Sequence, residues 1–420
     1  MTELVYEKET GRLLFTEEMK KDYTILIPQM LPVTFKLLIK ILEPHGFKIE
    51  VLETTGKAVV DTGLKYVHND MCYPAILTIG QLVEAVESGR FDKHKTALLI
   101  TQTGGGCRAS NYIHMLRKAL KRAGLEYIPV ISLNMSGMEK NPGFKLSISD
   151  YRKCVFGMMY GELLVHLANQ CIPYEIEKGS ADKLTEVWID KLSQIFTKGG
   201  GMSHKQMKIY MTEIVKSFAE IPKSSEVKPR VGIVGEIYVK YAPLGNNNLE
   251  EFLLSEGTEV VVPGVTDFIL MKMNNRSVDV DLYGGKWIKK AVMIIAQKYI
   301  SSCQNVMIDV IKEEGSFRAM EPFAHLQELV KGYLGPGNKM GEGWLLTAEM
   351  LDLITSGTNN VVCTQPFGCL PNHVVGKGMM RKLKDDYPNS NIVAVDYDPG
   401  ATKINQENRI KLMLSNAKMK

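Results

Sequence analysis

The chain has 420 residues, enough for two or three domains with a sizeable core, and its 45% apolar and 23% charged content is ordinary for a globular protein. A formal net charge of +4 is small for this length and points neither to nucleic acid nor to a membrane surface. No apolar run approaches the ~20 residues needed to span a bilayer, and the opening stretch MTELVYEKETGRLLF lacks the continuous apolar core of a secretory signal. Seven cysteines without such a signal read as thiols or metal ligands of a reducing, anaerobic cytoplasm rather than as a disulfide framework.

Residues 1–22 form an N-terminal arm without clear period, and an α/β pattern runs from 23 to 150. Short apolar runs predict strands at 24–28, 48–52, 97–100 and 127–131. Helical spacing falls at 34–42, 73–88 and 110–123, with a loop expected from 53 to 71. Residues 151–228 change character: 151–168, 181–196 and 203–218 are helical with few strand signals, so this part is a helical connection. A second α/β pattern occupies 229–420, with strands at 230–234, 259–263, 359–363 and 391–396. Its helices are expected at 247–255, 345–357, 373–385 and 402–416, with a helical insertion around 285–335. Strands alternating with helices predict two doubly wound, mostly parallel sheets.

Three short loops carry the chemistry. Cys363-Thr-Gln-Pro-Phe-Gly-Cys369-Leu-Pro-Asn-His373 follows a buried apolar strand. Asn69-Asp-Met-Cys72-Tyr-Pro74 opens a helix, and Thr103-Gly-Gly-Gly-Cys107-Arg108 lies between a strand and a helix. Ligands of open α/β sheets bind at strand carboxyl ends, and thiolates are favoured near helix N-termini. Convergence of these loops would let Cys72, Cys107 and Cys369 hold an iron–sulfur cluster. Gly105 and Gly106, with Gly104, would bring backbone N–H groups close to cluster sulfurs, and Gln365 and Asn372 would hydrogen-bond to them. Cys363, inside the apolar run, fits a ligand or a core thiol equally well. Taken singly, any of these cysteines is more often a buried apolar residue, and Cys154, Cys171 and Cys303 in helix-like segments read as plain packing.

The rival metal is zinc on the three cysteines with His373, but no Cys-x-x-Cys pair is present. The glycine loop is neither a dinucleotide fingerprint nor a P-loop, and no hydrolase elbow or zinc-protease helix occurs. No catalytic residue is assigned. Glu342, Glu349, His325, His373, Asp396 and Asp398 are the candidates for acid–base work.

At Thr101–Arg108, Tyr241–Asn248, Gln365–His373 and Val395–Gly400 the chain resembles the superfamily of 2-hydroxyacyl-CoA dehydratases, benzoyl-CoA reductases and double-cubane-cluster proteins. It looks most like acyl-CoA dehydratase activase-related proteins, which occur alone or as the C-terminal part of large activase fusions. The resemblance implies two flavodoxin-like domains with a helical part. It also implies a [4Fe–4S] or double-cubane cluster between the domains, held by Cys72, Cys107 and Cys369 rather than Cys363. Leu370 stands where the dehydratases carry an acidic residue, which separates the cluster from the dehydration chemistry.

The resemblance further implies a partner, an ATP-dependent activator ATPase of actin-like fold that injects low-potential electrons. The expected function is an iron–sulfur reductase component passing those electrons to a small substrate, an acyl-CoA among the candidates. The alternatives are a 2-hydroxyacyl-CoA dehydratase-like subunit and a non-catalytic scaffold associated with the activator. No nucleic acid and no membrane are expected, and a homodimer is a candidate assembly.

Overall fold

The structure, a computed structural model, describes residues 3–102, 105–134 and 139–418. The first α/β unit contains β1 (Thr24–Pro28), β2 (Lys48–Leu52), β3 (Thr96–Thr101) and β4 (Val130–Leu133). The second contains β5 (Arg230–Gly235), β6 (Glu259–Val261), β7 (Asn360–Pro366) and β8 (Asn391–Tyr397). Each sheet is wholly parallel, with spatial orders β2-β1-β3-β4 and β6-β5-β7-β8. This is the flavodoxin-like order without a fifth strand, repeated twice. The central strands β3 and β7 are buried on both faces because helices cover both sides.

Several boundaries differ from the sequence reading. β4 starts at Val130 rather than at 127, because Pro129 has no N–H to give the ladder. The segment expected to be a loop after β2 contains a helix, Lys57–Tyr66. Gly63 in its middle is a packing device: a side chain there would meet the Ile76 carbonyl oxygen at 2.2 Å. A side chain at Gly80 of the Tyr73–Glu87 helix would meet the Val59 carbonyl oxygen at 2.3 Å, so the two helices pack backbone to backbone. The helical insertion begins earlier than 285, with Val265–Tyr283, and continues through Trp287–Glu314 and Phe323–Leu329. Val265–Tyr283 escaped notice because it buries Thr266, Asp267, Asn275 and Ser277 beside apolar residues, which blurs its stripe. The helix expected at 373–385 is broken into a π-helical turn at Asn372–Gly376, a 3₁₀ turn at Lys377–Met379 and a helix at Met380–Asp386.

Three helices of the connection, Ile148–Cys171, Ser180–Thr197 and His204–Ala219, build one core with Leu37 and Ile41 from the helix after β1. Cys303, Met307, Val310 and Ile311 of the insertion complete that core, so connection and insertion form a single helical layer. Cys154, Cys171 and Cys303 belong to these helices. The Tyr73–Glu87 helix is buried almost all round. Its residues Tyr73 and Leu77 leave the first unit and pack with Tyr238, Leu244 and Tyr397 of the second. A helix wedged between two sheets needs no polar face, which explains its uniform apolarity. Among the described residues no helix is long and apolar enough to cross a membrane.

Candidate functional site

The wedged helix brings its own N-cap residue, Cys72, to the junction of the two units. Pro74 follows in the first turn, where a missing N–H costs nothing. Cys107 and Cys369 reach the same place by equivalent routes, since each lies just past the third strand of its unit, β3 and β7. Cys107 caps a short 3₁₀ turn, Arg108–Asn111, and Cys369 lies in the turn before the π-helical segment. Carboxyl ends next to the point where strand order reverses are where crevices open in such sheets.

Backbone contacts stitch the three loops together. The Tyr73 N–H donates to the Phe367 carbonyl at 2.9 Å, and the Arg108 guanidinium donates to the Asp70 carbonyl at 2.8 Å. Gly368 has φ +73°, and a side chain there would come within 3.0 Å of the Cys72 Cα. Glycine is therefore required both for the turn and for the approach of the Cys369 loop to Cys72. Gly106 packs against Met340, whose Sδ would lie 2.6 Å from an added Cβ, so a fourth loop leading to Glu342 closes over the site. Gly105 is exposed and exchanges hydrogen bonds with Ser110, donating its N–H to Oγ at 2.8 Å and accepting from Oγ at 2.7 Å. Gly104 lies outside the described residues.

The thiols share one electrostatic environment. Burial pushes the Cys72 thiol up to about 11, while the 2.8 Å contact between its Sγ and the Tyr112 hydroxyl pulls the other way. Burial also raises Cys107 and, far more, Cys369, to which Glu342 and Glu236 add their charge. The charge of Cys107 raises both Cys72 and Cys369, so the Cys107 sulfur lies near enough to each to disturb it. Glu236 caps the Ile237–Tyr241 helix by accepting from the Val239 N–H at 2.9 Å. Burial and the charge of Glu342 hold its carboxyl above the usual range. Glu342 is buried and accepts from the Ile237 N–H at 3.0 Å. Lys272, lowered by burial, is supported by Glu342 and Cys107 and donates to the Gly341 carbonyl. Three thiols and two carboxyl groups beside one another repel an anion and suit a cationic inorganic centre, which would draw the protons off the sulfurs.

No protein-family model matches the chain, and no curated protein matches it at a significant level.

Gln365 sits at the end of β7, 1% exposed, and neither atom of its side-chain amide has a hydrogen-bond partner. A buried amide left wholly unsatisfied costs several kcal/mol, on the order of 2–6 for its two polar atoms, and marks a place where a further group is wanted. Asn372 is used differently from the sequence reading: its side-chain amide donates to the Thr364 carbonyl at 3.0 Å, and its backbone N–H faces the Cys369 sulfur. Cys363 is not brought to the other three. It packs among Val234, Leu346, Met350 and Leu383, its thiol is pushed up to about 12 by burial, and Asn372 Oδ1 lies 3.8 Å away.

The other candidates are dispersed. Glu349 is paired with Lys240 in the interior at 2.9 Å, and His373 is exposed with Nδ1 against the Cys369 carbonyl. Asp396 pairs with Arg409 and Lys377, and Asp398 accepts from the Gly400 N–H. His325 lies near Asp352, away from the thiols. Among the described residues no three His, Cys, Asp or Glu side chains form a group that could hold a metal ion. A single zinc needs donor sulfurs about 4 Å apart, whereas three corners of a cubane spread them to roughly 6–7 Å. Sequence reading missed Tyr112, Glu236 and Lys272. Glu236 had a visible signal, since it directly follows the apolar strand Arg230–Gly235, where a strand-end carboxylate merits inspection.

Proposed function

We propose that the chain is an iron–sulfur reductase component. Cys72, Cys107 and Cys369 hold a [4Fe–4S]-type cluster between the two α/β units. A separate ATP-driven activator of actin-like fold supplies low-potential electrons, and a small substrate receives them. One observation carries the reading: three cysteine loops distant in sequence are joined, by the Tyr73 N–H on the Phe367 carbonyl, the close approach of Gly368 to Cys72 and the Arg108 guanidinium on the Asp70 carbonyl. When bound, a cluster on three thiolates supplies one-electron chemistry and one iron open to a substrate atom.

The chain's own residues hold and shape that place. Both side-chain amide atoms of Gln365 lack a partner, and the carboxyls of Glu236 and Glu342 lie near the Cys107 and Cys369 thiols, with Glu236 held above its usual range by burial. Tyr112 steadies the Cys72 sulfur. The sequence has no P-loop pattern, so the energy-coupling step is assigned to the partner. Anaerobic reconstitution followed by iron analysis and EPR tests the reading, with about four irons per chain and a reduced-cluster signal expected. A colourless, iron-free product would overturn it. A change of that signal on adding a 2-hydroxyacyl-CoA would move the assignment to a dehydratase-like subunit.

A further inference from the structure

We propose that a second site, separate from the thiols, binds a small organic cation of the alkylammonium class in the cavity between the helical layer and the edge strand of the second sheet. The cavity has a volume of about 520 Å³, ample for a ligand of several heavy atoms. It runs beside β6 and residues 262–265 on one side and the Ile148–Cys171 helix on the other. None of Cys72, Cys107, Cys369, Glu236 or Glu342 lines it. The proposal therefore stands or falls independently of the iron–sulfur reading.

The polar wall is acidic. Glu162, Asp182, Glu250, Asp267, Glu349 and Asp352 line it; of the basic groups there, burial holds His166 down at about 4, and the others are ion-paired, bonded to backbone or exposed. Arg318 is ion-paired with Glu259, the Arg230 guanidinium donates to the Gly357 carbonyl at 3.1 Å, and Lys312 is exposed. Behind the wall, the ammonium of Lys240 is held by Glu349 at 2.9 Å.

Glu162 decides the chemistry. It is 8% exposed; its Oε2 accepts the Thr266 N–H at 2.8 Å, the Val265 N–H and Thr266 hydroxyl stand near the carboxyl, and its Oε1 makes no hydrogen bond. Gly264 makes room for it, because a side chain at 264 would come within 2.0 Å of Oε1. Asp352 repeats the motif with a buried Oδ1 that also lacks a partner. Burial is the largest cause and holds Glu162, Asp267 and Glu250 above their ordinary range and Asp352 at about 6, although Lys240 pulls Glu162 and Asp267 down and His325 does the same to Asp352. An ammonium offers three donors and the missing positive charge, on an apolar stem that suits the Val260–Val262 and Leu353 walls. A carboxylate ligand would add to the repulsion, and an alcohol would leave it uncompensated.

Calorimetry on the full chain with n-butylamine, n-butanol and butyrate separates these cases. The expected result is binding of the amine at least tenfold tighter than the alcohol, with no binding of butyrate. Repeating the titration in buffers of different ionisation enthalpy should show proton release, as a wall carboxyl ionises to meet the ammonium. Glu162→Gln should weaken the amine about tenfold. Should that variant fail to fold, because Glu162 also caps the Val265–Tyr283 helix, Asp352→Asn provides the same comparison. Equal binding of all three probes, no binding of the amine, or an affinity unchanged in the folded variant would overturn the proposal.

Discussion

Replacing Gly368 by alanine tests how the thiol site is assembled. Gly368 has φ +73°, a region that costs an L-residue about 1–2 kcal/mol. The new methyl would also stand 3.0 Å from the Cys72 Cα and 3.3 Å from its backbone N, with no flexible side-chain end able to give way. Overpacking against backbone adds roughly 1–3 kcal/mol, for a total of about 3 kcal/mol. Gly89→Ala is the matched control: its φ is +75°, but nothing lies within 4 Å of the added Cβ, so only the strain of about 1–2 kcal/mol remains. Urea unfolding of both apo variants isolates the contact as the difference between them. Iron content after anaerobic reconstitution reads the consequence, because a Cys369 loop pushed off Cys72 can no longer present both sulfurs to one cluster. Gly368→Ala should lose most of its iron and Gly89→Ala none. Equal stability losses with wild-type iron in both variants would refute the proposed geometry.

Cys107→Ser should abolish iron retention with little change in the apo fold, while Cys363→Ala should keep its iron and lose about 1–2 kcal/mol, as expected for a small cavity in a packed core; metal analysis beside denaturant titration distinguishes them. The Lys240–Glu349 pair has side chains only 5% and 4% exposed, so Lys240→Met alone should cost about 3–5 kcal/mol, whereas Lys240→Met with Glu349→Leu should be nearly neutral. A double-mutant cycle showing simple additivity would contradict this. Burial holds the His166 imidazole down at about 4, against the donation of its Nε2 to the Arg318 carbonyl, which favours the charged form. The unfolded chain therefore takes up this proton first, so the contribution is intact above about pH 6.5 and is lost as the pH falls from there towards 4. The stability difference between wild type and His166→Gln, measured across that window, should shrink on acidification.

Much of the scaffold could be read from one-dimensional pattern. The runs at 24–28 and 230–234 are apolar because they are interior strands, the run at 48–52 alternates because it is an edge strand with Lys48 and Glu50 exposed, and all three fall within a residue of the observed strands. Cys72, Cys107 and Cys369 stood out for a similar local reason, since each sits where a strand or loop gives way to a helical turn. The role of Gly63 and Gly80 had no sign in the sequence, because a glycine needed for helix contact is indistinguishable there from one that ends a helix. Gln365 and Cys363 lie two residues apart on β7, and pattern alone could not tell that one ends as an orphaned amide and the other as a packed thiol.

Local periodicity and turn chemistry are short-range properties, so the amino-acid order by itself determined the two α/β grammars, the helical stretch between them and the loops that carry the thiols. Only tertiary packing decided that the Tyr73–Glu87 helix is wedged between the sheets, that Glu236 and Glu342 reach the same thiols, and that a carboxylate-lined cavity opens along β6. The physical reason is that burial and charge fall off over a few ångströms in space, while Glu236 and Glu342 each lie more than a hundred positions along the chain from Cys72 and Cys107.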